Sequence, residues 1–302
     1  MKRKINLVGQ NTLTVSLPTK WAQLHNLKKG DDIELIEEND MLIISKDYNP
    51  PTKEIEIDIS KYGTMAGRVL GALYKAGYDR IKLLYDSPEK LAIIQKEMLK
   101  GFIGIDMIHH AKDYCILESM AAVQPEELDN AMRRVFRLLI ENANEAAEAL
   151  KKKDFSGLES VAAKDININK FADFSRRLLN KFGYKQKDKT SMIYFIVEDL
   201  ENIGDDYRDL ARFISRNKIV PSNKIISIYD KVNSFLELFY TLFYDFREER
   251  YSAFGEQYQK LIKEIDSQCK NSDKQEIVIL ARLQGIVTSI FDLNGPLVTL
   301  KF

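Results

Sequence analysis

The chain has 302 residues, 45% hydrophobic and 30% charged, and its 45 cationic and 45 acidic side chains cancel to a formal net charge of zero. That length is two to three domains' worth, and the balance suits soluble units with sizeable cores, which excludes wholesale disorder and a single small fold. No run approaches the ~18 apolar residues of a membrane-spanning helix, and residues 1–4 lead into the polar Gly9-Gln10-Asn11, so a cytoplasmic protein without membrane insertion is expected.

Residues 1–30 hold six cations (Lys2, Arg3, Lys4, Lys20, Lys28, Lys29) and no acid, whereas residues 31–40 hold six acids. A cationic surface on a neutral protein attracts phosphate backbones without making the whole molecule adhesive. Short β-branched runs at Ile5, Leu7, Val8 and at 13–17 read as strands. Trp21, Leu24 and Leu27 have helical spacing after Pro18, and Gly30 stops that helix. The runs 33–36 and 41–44 frame an acidic turn at Glu38-Asn39-Asp40 and predict a hairpin. Some 48 residues bury little surface alone, so this first domain, 1–48, is expected to dimerise.

Asn49-Pro50-Pro51-Thr52 reads as a linker, because paired prolines continue neither a helix nor a ladder. The second domain, 53–120, opens on the strict alternation of residues 54–59. A helix over 62–76, a strand over 81–85, a helix over 88–100 and further strands at 103–108 and 114–117 follow, an order that predicts a small α/β sandwich. His109-His110 is read as loop, since adjacent strand residues face opposite ways and cannot share a metal.

From Pro125 onward, the third domain, 125–302, shows only 3.6-residue periodicity. Six helices are predicted: 125–152, 154–182, 188–216, 223–249, 251–270 and 273–291. Their lengths and short connections suggest two three-helix bundles in tandem. Phe235, Phe239, Tyr240, Phe243, Tyr244 and Phe246 crowd the fourth helix, a core signature whose alternative is a partner surface.

Chemistry-bearing patterns are few. Cys115 and Cys269 have no CxxC partner and read as small buried side chains. The three histidines lack a nucleophile motif, and Gly101-Phe102-Ile103-Gly104 lacks the Lys-Ser/Thr of a phosphate loop, so no enzyme is implied. The pointed feature lies in residues 198–209, where six acids fall within twelve residues. Glu198, Glu201, Asp205 and Asp209 share one helix face, with Asp165 and Asn169 on the preceding helix able to face them. Stacked carboxylates repel unless a cation lies between them, and hard oxygen donors suit a divalent or iron-type metal ion; the other reading is a solvated acidic face balanced by Arg208.

Two stretches resemble known families. Residues 8–21, with Thr14-Val15-Ser16-Leu17-Pro18, followed by Leu27-Lys28-Lys29-Gly30-Asp31, resemble the AbrB/SpoVT swapped-hairpin DNA-binding domain. The resemblance implies an intertwined homodimer touching DNA, with Lys2, Arg3, Lys4, Gln10, Asn11 and Thr12 as contacts. Leu200-Glu201-Asn202-Ile203-Gly204-Asp205 is similar to the acidic helix motif of PhoU, the phosphate-uptake regulator of two three-helix bundles, with Asn202 where Arg is usual. That resemblance implies metal ligation by Glu201 and Asp205, to which the facing Asp165 is added. In the last predicted helix, Ala281-Arg282-Leu283-Gln284-Gly285 keeps Arg282 and has lost both carboxylates. The combination resembles archaeal phosphate-uptake regulators. The expected fold is therefore multidomain: a β-rich swapped-hairpin domain, a small α/β sandwich, then all-α PhoU-like bundles. The expected function is a DNA-binding regulator of phosphate uptake, with phosphate transport or signalling proteins as further partners. The alternative is a PhoU-type adaptor acting on a transporter or kinase by protein contact, its N-terminal domain only dimerising.

Overall fold

The computed structural model describes residues 1–38, 41–46, 52–120 and 123–302, the side chains of Ile36 and Glu38 excepted. The expected turn residues Asn39 and Asp40, and Asn49, Pro50 and Pro51 of the expected linker, lie outside them. The chain divides into two compact units, Met1–Pro51 and Thr52–Phe302.

In the first unit, β1 (Ile5–Val8) and β2 (Thr12–Val15) form an antiparallel hairpin, α1 (Thr19–Leu24) follows, and β3 (Glu34–Glu38) pairs with β4 (Met41–Ser45) in a separate two-stranded sheet. Gly9 turns the first hairpin at a φ of 68°, where a side chain would be strained. The register pairs Ile5 with Val15 and Leu7 with Leu13. A two-residue period therefore puts all four apolar side chains on one face and Asn6, Thr12 and Thr14 on the other.

The second unit begins with β5 (Glu54–Asp58), a 3-10 segment (Ile59–Met65), α2 (Ala66–Lys75), β6 (Arg80–Leu84), α3 (Pro88–Gly101), β7 (Ile105–His110) and β8 (Tyr114–Ser119). The helix expected over 62–76 is thus shorter: Gly63, at a φ of 51°, breaks it, and α2 starts at Ala66. The sheet order is β5-β6-β8-β7, parallel between β5 and β6 and antiparallel elsewhere. His109 and His110 are not in a loop but end β7, paired with Ile116 and Cys115 across a register shift, both exposed to solvent. Pairing with β8 supplies backbone partners that no local sequence signal announced. Leu70, Tyr74, Ile81, Leu83, Ile94, Cys115 and Leu117 fill the core between sheet and helices.

Seven helices follow among the described residues: α4 (Glu127–Lys152), α5 (Phe155–Phe182), α6 (Thr190–Arg216), α7 (Asn223–Tyr244), α8 (Glu248–Cys269), α9 (Lys274–Asp292) and α10 (Asn294–Lys301). Asp154 caps α5 by accepting from the Gly157 amide at 2.9 Å, and Asp273 caps α9 by accepting from Gln275 and Glu276. The fourth helix ends at Tyr244 instead of Glu249, because Asp245 leaves helical geometry and binds Arg247 and Arg250. The α10 segment, absent from the sequence reading, packs on α6.

Helices α4, α5 and α6 pack together, as do α7, α8 and α9, and contacts of α4 with α7 and of α6 with α9 fuse both groups around one continuous core. Phe235 and Phe239 of α7 are fully buried, and Tyr240, Phe243 and Tyr244 gather around Phe136 of α4 at 5.4–5.9 Å between ring centres. Asn233 ties the groups together, its amide donating to Ala143 O at 2.8 Å and its carbonyl accepting from Tyr207 at 2.9 Å. Cys269, expected to be buried, is half-exposed near the end of α8, whereas Cys115 is buried.

The sandwich sits on α5 through one buried cation. Arg177 donates to Tyr74 O at 2.9 Å, Tyr78 O at 2.8 Å and Asp79 Oδ1 at 3.1 Å, while Lys181 also pairs with Asp79 and Asn180 reaches Lys75 O. Lys75 O and Tyr78 O at the end of α2 thereby find donors on another helix, and Tyr74 O, which already accepts from the Gly77 amide, gains a second one.

Candidate functional site

Two regions hold the residues that the sequence singled out. In Met1–Pro51 no described residue is buried. Ile5, Leu7, Leu13 and Val15, the apolar face of the first hairpin, are 46–68% exposed, and Leu35, Met41 and Leu42 are equally open. A contiguous apolar face on strands marks an association surface, since isolated hairpins are marginal in water. Lys2, Arg3 and Lys4 form an exposed arm before β1, Gln10 and Asn11 occupy the turn, and Thr12 opens β2. The six residues are all accessible, but they form two groups at opposite ends of one hairpin, roughly 14 Å apart at about 3.4 Å per strand residue.

The second region is the seam between α5 and α6. It brings Asp165, Glu201 and Asp205 to one side of the helix pair, with guanidinium groups between them. Arg208 donates to Asp165 at 3.0 Å and Asp209 at 2.9 Å and pairs with Asp205. Arg176, itself buried, binds Asp173 at 2.9 Å and Glu201 at 3.2 Å and pairs with Glu198. Gly204 permits the approach of the two helices: a Cβ there would meet Asp165 Oδ1 and Ile168 at 3.3 Å. Burial pushes the Asp165 carboxyl up to about 6 against the pull of Arg208, with Asp205 and Glu201 adding to the rise. Glu201 is likewise raised by burial, opposed by Arg176. Asp165 Oδ1 and Asn169 Oδ1 are buried with no hydrogen-bond partner. Among the described residues no three His, Cys, Asp or Glu side chains converge as a metal site. The donor set does not fit a metal ion as it stands, because the two arginines already hold the charge that such an ion would supply.

A family model described as antidote-toxin recognition MazE, bacterial antitoxin, matches residues 8–51. Among curated proteins and among solved structures, none matches the chain. The match supports a MazE/AbrB-type swapped-hairpin domain at the N-terminus, where the structure has two separate hairpins with unburied apolar faces. Among the described residues no helix is long and apolar enough to cross a membrane.

Sequence reasoning missed the two buried arginines. Arg176 and Arg177 are adjacent on α5 and point to different partners, one toward the carboxylates of α6 and the other toward the end of α2. Nothing local distinguishes them from solvated cations on an amphipathic helix. For Arg176 the one signal was the acidic stripe on α6, whose six acids within twelve residues exceed what Arg208 alone can balance. Arg282, retained from the second motif, stacks over Phe213 at 5.2 Å.

Proposed function

We propose that the chain is a dimeric DNA-binding transcriptional regulator of phosphate uptake, in which Thr52–Phe302 serves as the sensory or protein-interaction unit. The observation that carries this reading is the coincidence of the MazE-type match at 8–51 with a unit whose described residues are all unburied and that keeps six of its seven cations on the acid-free residues 1–30. A second copy covering Ile5, Leu7, Leu13 and Val15 completes the core, and the pair then presents two sets of Lys2, Arg3 and Lys4. Cations bind phosphates irrespective of sequence, while the amides of Gln10 and Asn11 and the hydroxyl of Thr12 suit base edges or sugar oxygens. The phosphate role is supported by the likeness of residues 200–205 to the PhoU motif and by the two groups of three helices.

The test is retention of source-genome fragments by the full chain and by residues 52–302, with a salt titration. Specific retention by the full chain alone, falling steeply with salt, is the expected result. Equal retention by both, or by neither, removes the DNA role and leaves the adaptor reading, in which the first unit only dimerises.

A further inference from the structure

Where α2 and α3 of the sandwich face α5 and α6, a cleft of about 600 Å³ opens. Its volume lies in the range of sites for small organic molecules and far exceeds what one tetrahedral anion needs. The walls differ in charge. The sandwich side presents Arg68, Lys75, Lys96 and Lys100 against one carboxylate, Glu97, which pairs with Lys100, while Lys75 reaches Asp173; Arg68, Lys96 and the neighbouring Lys170 of α5 have no hydrogen bond or ion pair among the described residues. The opposite wall presents Asp173, Glu201 and Asp205, acceptors already oriented by Arg176 and Arg208. Asn169 lies between, with its buried carbonyl oxygen lacking a donor. On α2, Gly71 leaves the space open, since a Cβ there would meet nothing within 4 Å.

We propose that this cleft binds a small phosphate monoester carrying hydroxyl groups, a nucleoside or sugar phosphate, with the phosphoryl group on Arg68, Lys96 and Lys170. The hydroxyl groups donate to Asn169, Asp173 and Glu201. Three cations without partners lining one concavity form a charge-assisted anion site. The facing carboxylates repel an extended polyanion such as a nucleic-acid backbone, yet they accept hydrogen bonds from a hydroxylated ligand turned the right way. The site belongs wholly to Thr52–Phe302, so it stands or falls independently of DNA binding.

The test is calorimetric titration of the full chain, without DNA, with adenosine monophosphate, glucose 6-phosphate and inorganic phosphate. At least one ester is expected to bind saturably, and which one does distinguishes a nucleoside from a sugar ligand; inorganic phosphate binds at least about tenfold more weakly, lacking the hydroxyl contacts. Arg68→Ala and Lys96→Ala each weaken the ester by about tenfold. Gly71→Leu, which fills the cleft, abolishes binding while thermal unfolding stays unchanged or moves upward, because leucine replaces a helical glycine. The proposal is overturned if neither ester saturates, if the variants bind like the parent, or if inorganic phosphate binds as tightly as the esters.

Discussion

The first 51 residues and the remaining 251 solve the burial problem in opposite ways. Met1–Pro51 satisfies its strands through local hairpins and leaves their apolar faces in water. Thr52–Phe302 encloses two hydrophobic cores and affords a fully buried Arg177 between them. Backbone pairing sets register, but it does not remove apolar area from solvent, and it is that removal which stabilises a fold. A second copy covering those faces makes the stability of the first unit depend on concentration.

Leu13→Asp breaks this contrast most severely. Each dimer loses two apolar side chains worth about 1.5–3 kcal/mol each on burial, so association weakens by about 3–6 kcal/mol. Sedimentation should show a monomer whose helical unfolding by urea matches the parent. A dimer of parental strength would mean that this hairpin face is not the interface.

In the second unit, Arg177→Met leaves Tyr78 O without its donor, Tyr74 O with the Gly77 amide alone, and Asp79 with Lys181 and the Lys53 amide. A loss of about 3 kcal/mol in urea unfolding is expected. DNA retention at low temperature should be unaffected.

The effect of Asp165 is smaller and depends on pH. Its folded pKa of about 6 stands above the ordinary 3.8, so the native state holds the extra proton. Its contribution to stability is full below about pH 4 and is lost as pH rises through 6, on the order of 3 kcal/mol at most. Asp165→Asn should flatten that portion of the stability profile; an unchanged slope would assign it to other carboxylates.

Dialysis against a chelator is the smallest perturbation. With Arg176 and Arg208 as counter-charges, the melting temperature should not move, and metal content should be the same in Glu201→Ala/Asp205→Ala as in the parent. Metal lost specifically from that variant would restore the ligation implied by the PhoU resemblance.

Much of the architecture was legible in order and periodicity. The strands of the first unit, the alternation of the sandwich and the long amphipathic helices all leave a two- or 3.6-residue signature, because each buries or pairs one face. Helix ends were less legible, since the break after Tyr244 depends on the ion pairs of Asp245 and α10 on a surface of α6. The strand expected over 103–108 runs on through His109-His110, an extension invisible for a similar reason, as its partner β8 lies beyond a turn.

Sequence by itself determined which residues could carry charge: the acid-free N-terminus, the acidic stripe of α6 and the carboxamide on α5 are properties of local spacing. Only the tertiary structure decided what those charges do. It put Arg176 and Arg208 among the acids, sent Arg177 to the end of α2, and left Arg68, Lys96 and Lys170 facing a cleft. Beside the local Arg176–Asp173 and Arg208–Asp205 pairs, the contacts Arg176–Glu201, Arg208–Asp165 and Arg177–Asp79 join residues 25, 43 and 98 positions apart. Coulombic and hydrogen-bond energies fall off over a few ångströms, so chain folding, rather than composition, selects which charges meet.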